Sequence, residues 1–130
     1  MLQPDVYAQL AEAAPDGDVL PGLSGELLGE LADQCVRAGA GVALIKCGYL
    51  GMYVRTADRQ RLGEVGRAKP ARLEEWADRE LFEPSYRVER IVSATGAGDC
   101  AIAGFLAAYL NGCDLAFCLR HATATGAQNL

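Results

Sequence analysis

The stretch Gly96-Ala97-Gly98-Asp99, inside "SATGAGDCAIAGF", concentrates the chemistry of this sequence. Three small residues precede an acid, and an apolar run, "CAIAGFLAAYL", follows it. A small-residue turn that opens a helix leaves the N–H groups of Gly96, Ala97 and Gly98 free at the positive end of the helix, where phosphate oxygens are favoured. Side chains there would obstruct a close approach. A carboxylate beside such a site costs electrostatic energy unless it has a task. Asp99 has the chemistry of a base that takes a proton from an attacking hydroxyl. The plainer reading stays open: Asp99 complements the helix dipole and the glycines make a tight turn. The string is not a Walker A loop, because no Gly-Lys-Ser/Thr follows, nor is it a GxGxxG fingerprint.

The elements that must position this turn follow from periodicity. In "SGELLGELADQCVRAG", Leu27, Leu28, Leu31, Cys35 and Val36 recur at helical spacing, with Ser24 as N-cap and Gly39 as the residue past the C-cap. "GVALIKC" is apolar and too short for a helix, so it reads as a strand covered on both faces. "MYVRT" alternates Tyr53 and Arg55 with Met52 and Val54, as a strand nearer the sheet edge would. Residues 57–85 are densely charged and read as a surface excursion, with a helix around "ARLEEWADREL" that lays Leu73, Trp76 and Leu81 on the body. "YRVERIV" resumes strand character just before the turn. The helix after Asp99 is apolar nearly all round and ends at Asn111-Gly112, which places it deep in the protein. A last helix starts at Asp114. Helix and buried strand in alternation point to the α/β class.

Composition excludes several classes. The 130 residues are 51% apolar, enough for a core, and carry 17 acids against 12 bases for a net charge of −5. No concentrated basic face is present, which argues against nucleic acid or a membrane surface as partner. No membrane span and no signal-peptide pattern occurs in the sequence, so a cytoplasmic location is expected. The five cysteines, Cys35, Cys47, Cys100, Cys113 and Cys118, form no CxxC and read as buried, reduced thiols. His121 has only Cys118 at short spacing, so no metal site is expected.

The motif "TGAGD" with "AGFLAAYLNG", preceded by a buried strand ending in "KCGYLG", resembles the ribokinase-like carbohydrate kinase family of the phosphofructokinase B type. The resemblance covers residues 25–56 and 86–130. It implies a three-layer α/β/α fold with a mainly parallel sheet, and transfer of the ATP γ-phosphoryl group to a hydroxyl, with magnesium as companion ion. By that match Asp99 is the catalytic base and Gly96, Ala97 and Gly98 line the anion hole. Gly48 and Gly51 match the glycine turn beside the nucleotide. Lys46 stands where many relatives place a phosphate-touching threonine, and it could reach phosphate as a point charge or merely face solvent. Thr123 falls where relatives often have an asparagine at the adenine pocket, near Gly126 and Ala127.

Two departures stand out. Ser93, followed by Ala94, replaces an aspartate that in relatives helps hold a monovalent cation. The resemblance also implies that residues 1–130 are the nucleotide-binding, C-terminal portion of a larger kinase domain, because the sugar-binding half and the Asn-x-x-Glu segment associated with magnesium have no counterpart. On that expectation the isolated chain binds adenine nucleotide weakly, phosphorylates no sugar and self-associates, with a homo-oligomer as the form this would take. Two alternatives accompany this reading: a non-catalytic nucleotide-binding or interaction module, including a partner subunit, and a kinase of a nucleoside or vitamin precursor.

Overall fold

The described residues, 4–14, 16 and 18–130 of a computed structural model, form helix α1 (Pro4–Glu12), a 3-10 turn (Leu20–Gly22), α2 (Gly25–Arg37) and β1 (Val42–Lys46). A second 3-10 turn (Gly48–Leu50), β2 (Gly51–Thr56), α3 (Arg59–Gly63), α4 (Leu73–Trp76), β3 (Glu80–Pro84), α5 (Ala97–Leu110) and α6 (Leu115–Gln128) follow. The strong end signals are obeyed. Ser24 Oγ accepts from the Leu27 N–H at 3.1 Å, starting α2 one residue later. At its other end Gly39 N–H donates to the Val36 carbonyl and Ala40 N–H to that of Cys35, a Schellman closure. Gly112 and Cys113 close α5 in the same way, on Tyr109 and Ala108.

The sheet corrects one expectation. Its order is β1-β2-β3 and both pairings are antiparallel, Lys46 opposite Met52 and Gly51 opposite Pro84, so no parallel pairing occurs among the described residues. The cause is connection length: only residues 47–50 join β1 to β2, far too few for the crossover that parallel strands require. Strand β2 is also central rather than near an edge. Its polar alternation is absorbed inside the fold, because Tyr53 is buried and Arg55 bridges Asp33 at 2.6 Å and Glu80 at 2.8 Å. Strand β1, expected to be covered on both faces, is half-buried at three positions and has no pairing partner on its outer edge among the described residues.

Helices cover both faces of the sheet. On one side Leu28 and Ala32 of α2 pack with Ala43, Cys47 and Tyr53. On the other, Met52 and Val54 meet α5 and α6 through Ala101, Phe105, Cys118 and Leu119. That larger core also takes Leu62 and Trp76 from residues 57–85, so the excursion is anchored rather than superficial. Trp76 packs edge-on against Tyr109 (5.0 Å between ring centroids) and Phe105 (6.4 Å).

Three further expectations change. The helix around "ARLEEWADREL" stops at Trp76, because Asp78 adopts φ 54 and turns the chain into β3, which makes Leu81 a strand residue. "YRVERIV" forms no strand, since its donors find no ladder: the Val92 and Ser93 N–H groups go to the Leu130 carbonyl at 2.6 and 3.2 Å. Helix α5 buries only one face, leaving Leu106 and Leu110 exposed. All five cysteines are free thiols, but Cys35 lies exposed on α2 and Cys100 and Cys113 are half-buried.

Candidate functional site

One cavity gathers most of the residues singled out by sequence. It measures about 690 Å³, within the usual range for a small-molecule site, and lies at the end of the sheet where β1 stops and β2 starts. Lys46, Gly48, Gly51, Ala97, Gly98, Thr123, Gly126 and Ala127 all line it. Ser85, Tyr86, Arg87, Val88 and Ile91, from the irregular segment after β3, close another wall. Gly96 and Asp99 belong to the same turn but do not line the cavity.

The start of α5 is the polar end of this space. Gly96 is its N-cap residue, at φ 84, and no side chain caps the helix. Ala97 N–H reaches the Ala94 carbonyl at 3.3 Å, and Cys100 N–H reaches that of Gly96 at 2.9 Å. The N–H groups of Gly98 and Asp99 between them have no hydrogen-bond partner among the described residues. The Gly96 N–H has no partner there either, so of the three expected donors Gly96 and Gly98 are free, Ala97 is not, and Asp99 joins them. Asp99 is exposed, with no ion pair or hydrogen bond to its carboxylate among the described residues.

Lys46 lies directly over this helix start. A Cβ built on Gly98 would stand 2.7 Å from Lys46 Nζ and 3.4 Å from its Cδ. An exposed ammonium thus stands at the positive end of a helix whose first turn also carries Asp99, and an anion in the cavity would be favoured by both the ammonium and the helix end. The absence of a side chain at Gly98 makes the approach possible.

The connector after Lys46 forms the adjoining wall. Gly51 has φ 133, and a Cβ there would overlap the backbone carbonyl oxygen of Glu83, so only glycine fits. Leu20 packs on Gly48, and Asp18 ties that contact down: Tyr49 Oη donates to Asp18 Oδ2 at 2.8 Å, and Leu20 N–H donates to Oδ1 at 3.0 Å. The bond to Asp18 raises the Tyr49 phenol above its ordinary pKa.

Two residues carried over to the adenine side have evident packing roles. Thr123 Oγ donates to the Arg120 carbonyl at 3.0 Å, so its hydroxyl hydrogen is used within its own helix. Gly126 lets α6 approach α5, where a Cβ would stand 3.2 Å from both Ala101 Cβ and the Ala97 carbonyl oxygen.

The charges of the lining are one-sided. Lys46 and Arg87 line the cavity and, among the described residues, no carboxylate side chain does, in a chain with five more acids than bases. Arg87 escaped the sequence reading because its segment reads as a strand. No group of three or more His, Cys, Asp or Glu side chains that could hold a metal ion occurs among the described residues. No helix among them is long and apolar enough to cross a membrane.

The family model described as pfkB family carbohydrate kinase matches residues 20–130, and thus every residue that lines the cavity. No curated protein and no solved structure matches the chain.

Proposed function

The chain belongs to the pfkB family of carbohydrate kinases, and from that premise we propose that it forms the nucleotide side of an enzyme that transfers the ATP γ-phosphoryl group to a sugar hydroxyl. The observation that carries this reading is the convergence of an uncapped helix start, free N–H groups and Lys46 on one cavity without acids. The apolar part of the cavity takes the adenine and ribose beside Gly48, Gly51 and Thr123, and the phosphates point at α5.

In the reaction, Asp99 accepts the proton of the acceptor hydroxyl as its oxygen attacks the γ-phosphorus. The bond from that phosphorus to the β-γ bridging oxygen breaks, ADP departs, and the proton then passes from Asp99 to solvent. Charge that builds on the transferred group's oxygens meets the N–H groups of Gly98 and Asp99 and the Lys46 ammonium, which are already oriented for it. The described residues offer no carboxylate cluster for a resident magnesium ion. A bound nucleotide would bring its own magnesium, which would supply neutralisation of phosphate charge, and no step here depends on a protein cage for it.

The test is phosphoryl transfer from ATP to a panel of sugars by the gene product that carries this chain, wild type beside Asp99→Asn. Expected are transfer to at least one sugar, a loss of about a hundred-fold or more in turnover for the variant, and ATP affinity kept within a few-fold. A variant with half the wild-type turnover number removes Asp99 from the reaction.

A further inference from the structure

We propose that Arg87 is the second cation of the nucleotide site, a specificity-determining residue that grips the donor's phosphate chain from the side away from Lys46 and makes the cavity prefer a polyphosphate to a monophosphate. The inference rests on the nucleotide reading above and extends it to a residue that the sequence motif does not contain.

Placement comes first. Lys46 ends β1, and Arg87 lies three residues beyond Pro84, the last residue of β3. With β2 between them, the two backbones enter the same end of the sheet two strand spacings apart, roughly 10 Å. The cations thus reach the cavity from opposite flanks, and both line it.

Charge comes second. Arg55, Arg59, Arg61 and Arg72 each pair with a carboxylate within 4.0 Å. Arg87, like Arg37, Arg67, Arg79, Arg90 and Arg120, forms no such pair among the described residues, but it alone of the arginines lines the cavity, where no acid side chain accompanies it. Both side chains are exposed, so water screens their mutual repulsion, while together they give the cavity a positive potential. An anion between them is attracted by both. Lys46 and a helix start worth about half a charge balance only part of a triphosphate, and Arg87 supplies the next full charge. The residue type also fits: a guanidinium binds two phosphate oxygens at once in a fixed fork, where an ammonium acts as a point charge.

The experiment titrates the full chain calorimetrically, at one fixed ionic strength, with ATP, ADP, AMP, adenosine and inorganic tripolyphosphate, for wild type, Arg87→Gln and Arg87→Lys. For Arg87→Gln we expect ATP, ADP and tripolyphosphate to weaken about tenfold or more, AMP about twofold, and adenosine not at all. Arg87→Lys recovers part of the loss. Equal weakening of all ligands including adenosine, or no weakening of any, overturns the role of Arg87. Tripolyphosphate separates the two ideas: if the wild type binds it in an Arg87-dependent manner and ignores ATP, the anion grip stands and the nucleotide reading falls. Binding of neither ligand overturns both. Unchanged thermal melting of both variants checks that the fold is intact.

Discussion

Helices α5 and α6 are each 14 residues long and pack side by side, yet they begin in opposite ways. At α6, Asp114 accepts a hydrogen bond from the Phe117 N–H at 2.8 Å, and its charge suits the helix dipole. At α5 no side chain caps the helix, Gly96 turns the chain in the left-handed region, and the first turn carries the exposed Asp99 with the ammonium of Lys46 standing over Gly98. A capping residue at such a position is worth about 1 kcal/mol, so the start of α5 forgoes stability that the start of α6 retains. On the function proposed above, the difference separates a helix end that serves the fold from one kept open for a ligand.

The largest expected contrast comes from Lys46→Ala. If the ammonium waits for phosphate, ATP should weaken about tenfold while adenosine is unaffected. The protein without ligand should melt no lower, and could melt slightly higher, because a cation has left the positive end of α5. Calorimetric titration with both ligands, plus thermal melting, checks each half. Equal loss of ATP and adenosine would show that Lys46 supports the fold or the adenine side instead.

Asp114→Ala is the mirror experiment and the next largest. Removing the α6 cap should cost about 1 kcal/mol, a drop of roughly 4 °C in Tm for a chain of this size. Nucleotide affinity should stay within twofold, since Asp114 lies away from the cavity lining. A nucleotide defect without a stability defect would erase the distinction between the two helix starts.

The same contrast explains what could be read from the sequence. Ser24, Asp114, Gly39 and Gly112 act within a few residues of themselves, so the ends of α2, α5 and α6 were legible. The glycine turn and the α5 start were legible for a similar reason, as each is a local backbone requirement written in small residues. Pairing partners are not local. The apolar run of β1 read as a strand covered on both faces and the family resemblance implied a mainly parallel sheet, but the four-residue connector dictates an antiparallel pair. Glu80–Pro84 was hidden inside a helical pattern, because nothing in the residue types announces the turn at Asp78. The segment "YRVERIV" read as a strand but pairs with neither outer edge of the sheet, and that misreading concealed Arg87. In α5, an apolar residue at nearly every position gives no clue to which side is covered, so the exposure of Leu106 and Leu110 emerges only from packing.

The smallest effect tests the comparison most finely. Gly98→Ala adds one methyl group to the first turn of α5, where alanine is the better helix former, so stability should stay level or rise by a few tenths of a kcal/mol. The new Cβ would stand 2.7 Å from Lys46 Nζ, and because that atom is the end of a flexible chain it can move aside cheaply. The expected result is a two- to threefold loss of ATP affinity with no loss of melting temperature, as the lysine is displaced from the helix start. Whether the methyl group acts through the lysine or blocks phosphate itself is decided by the double variant. In a Lys46→Ala background, Gly98→Ala should have almost no further effect on ATP binding. A second loss that simply adds to the first would show that the bare backbone at Gly98, and not the lysine above it, is what the open start of α5 preserves.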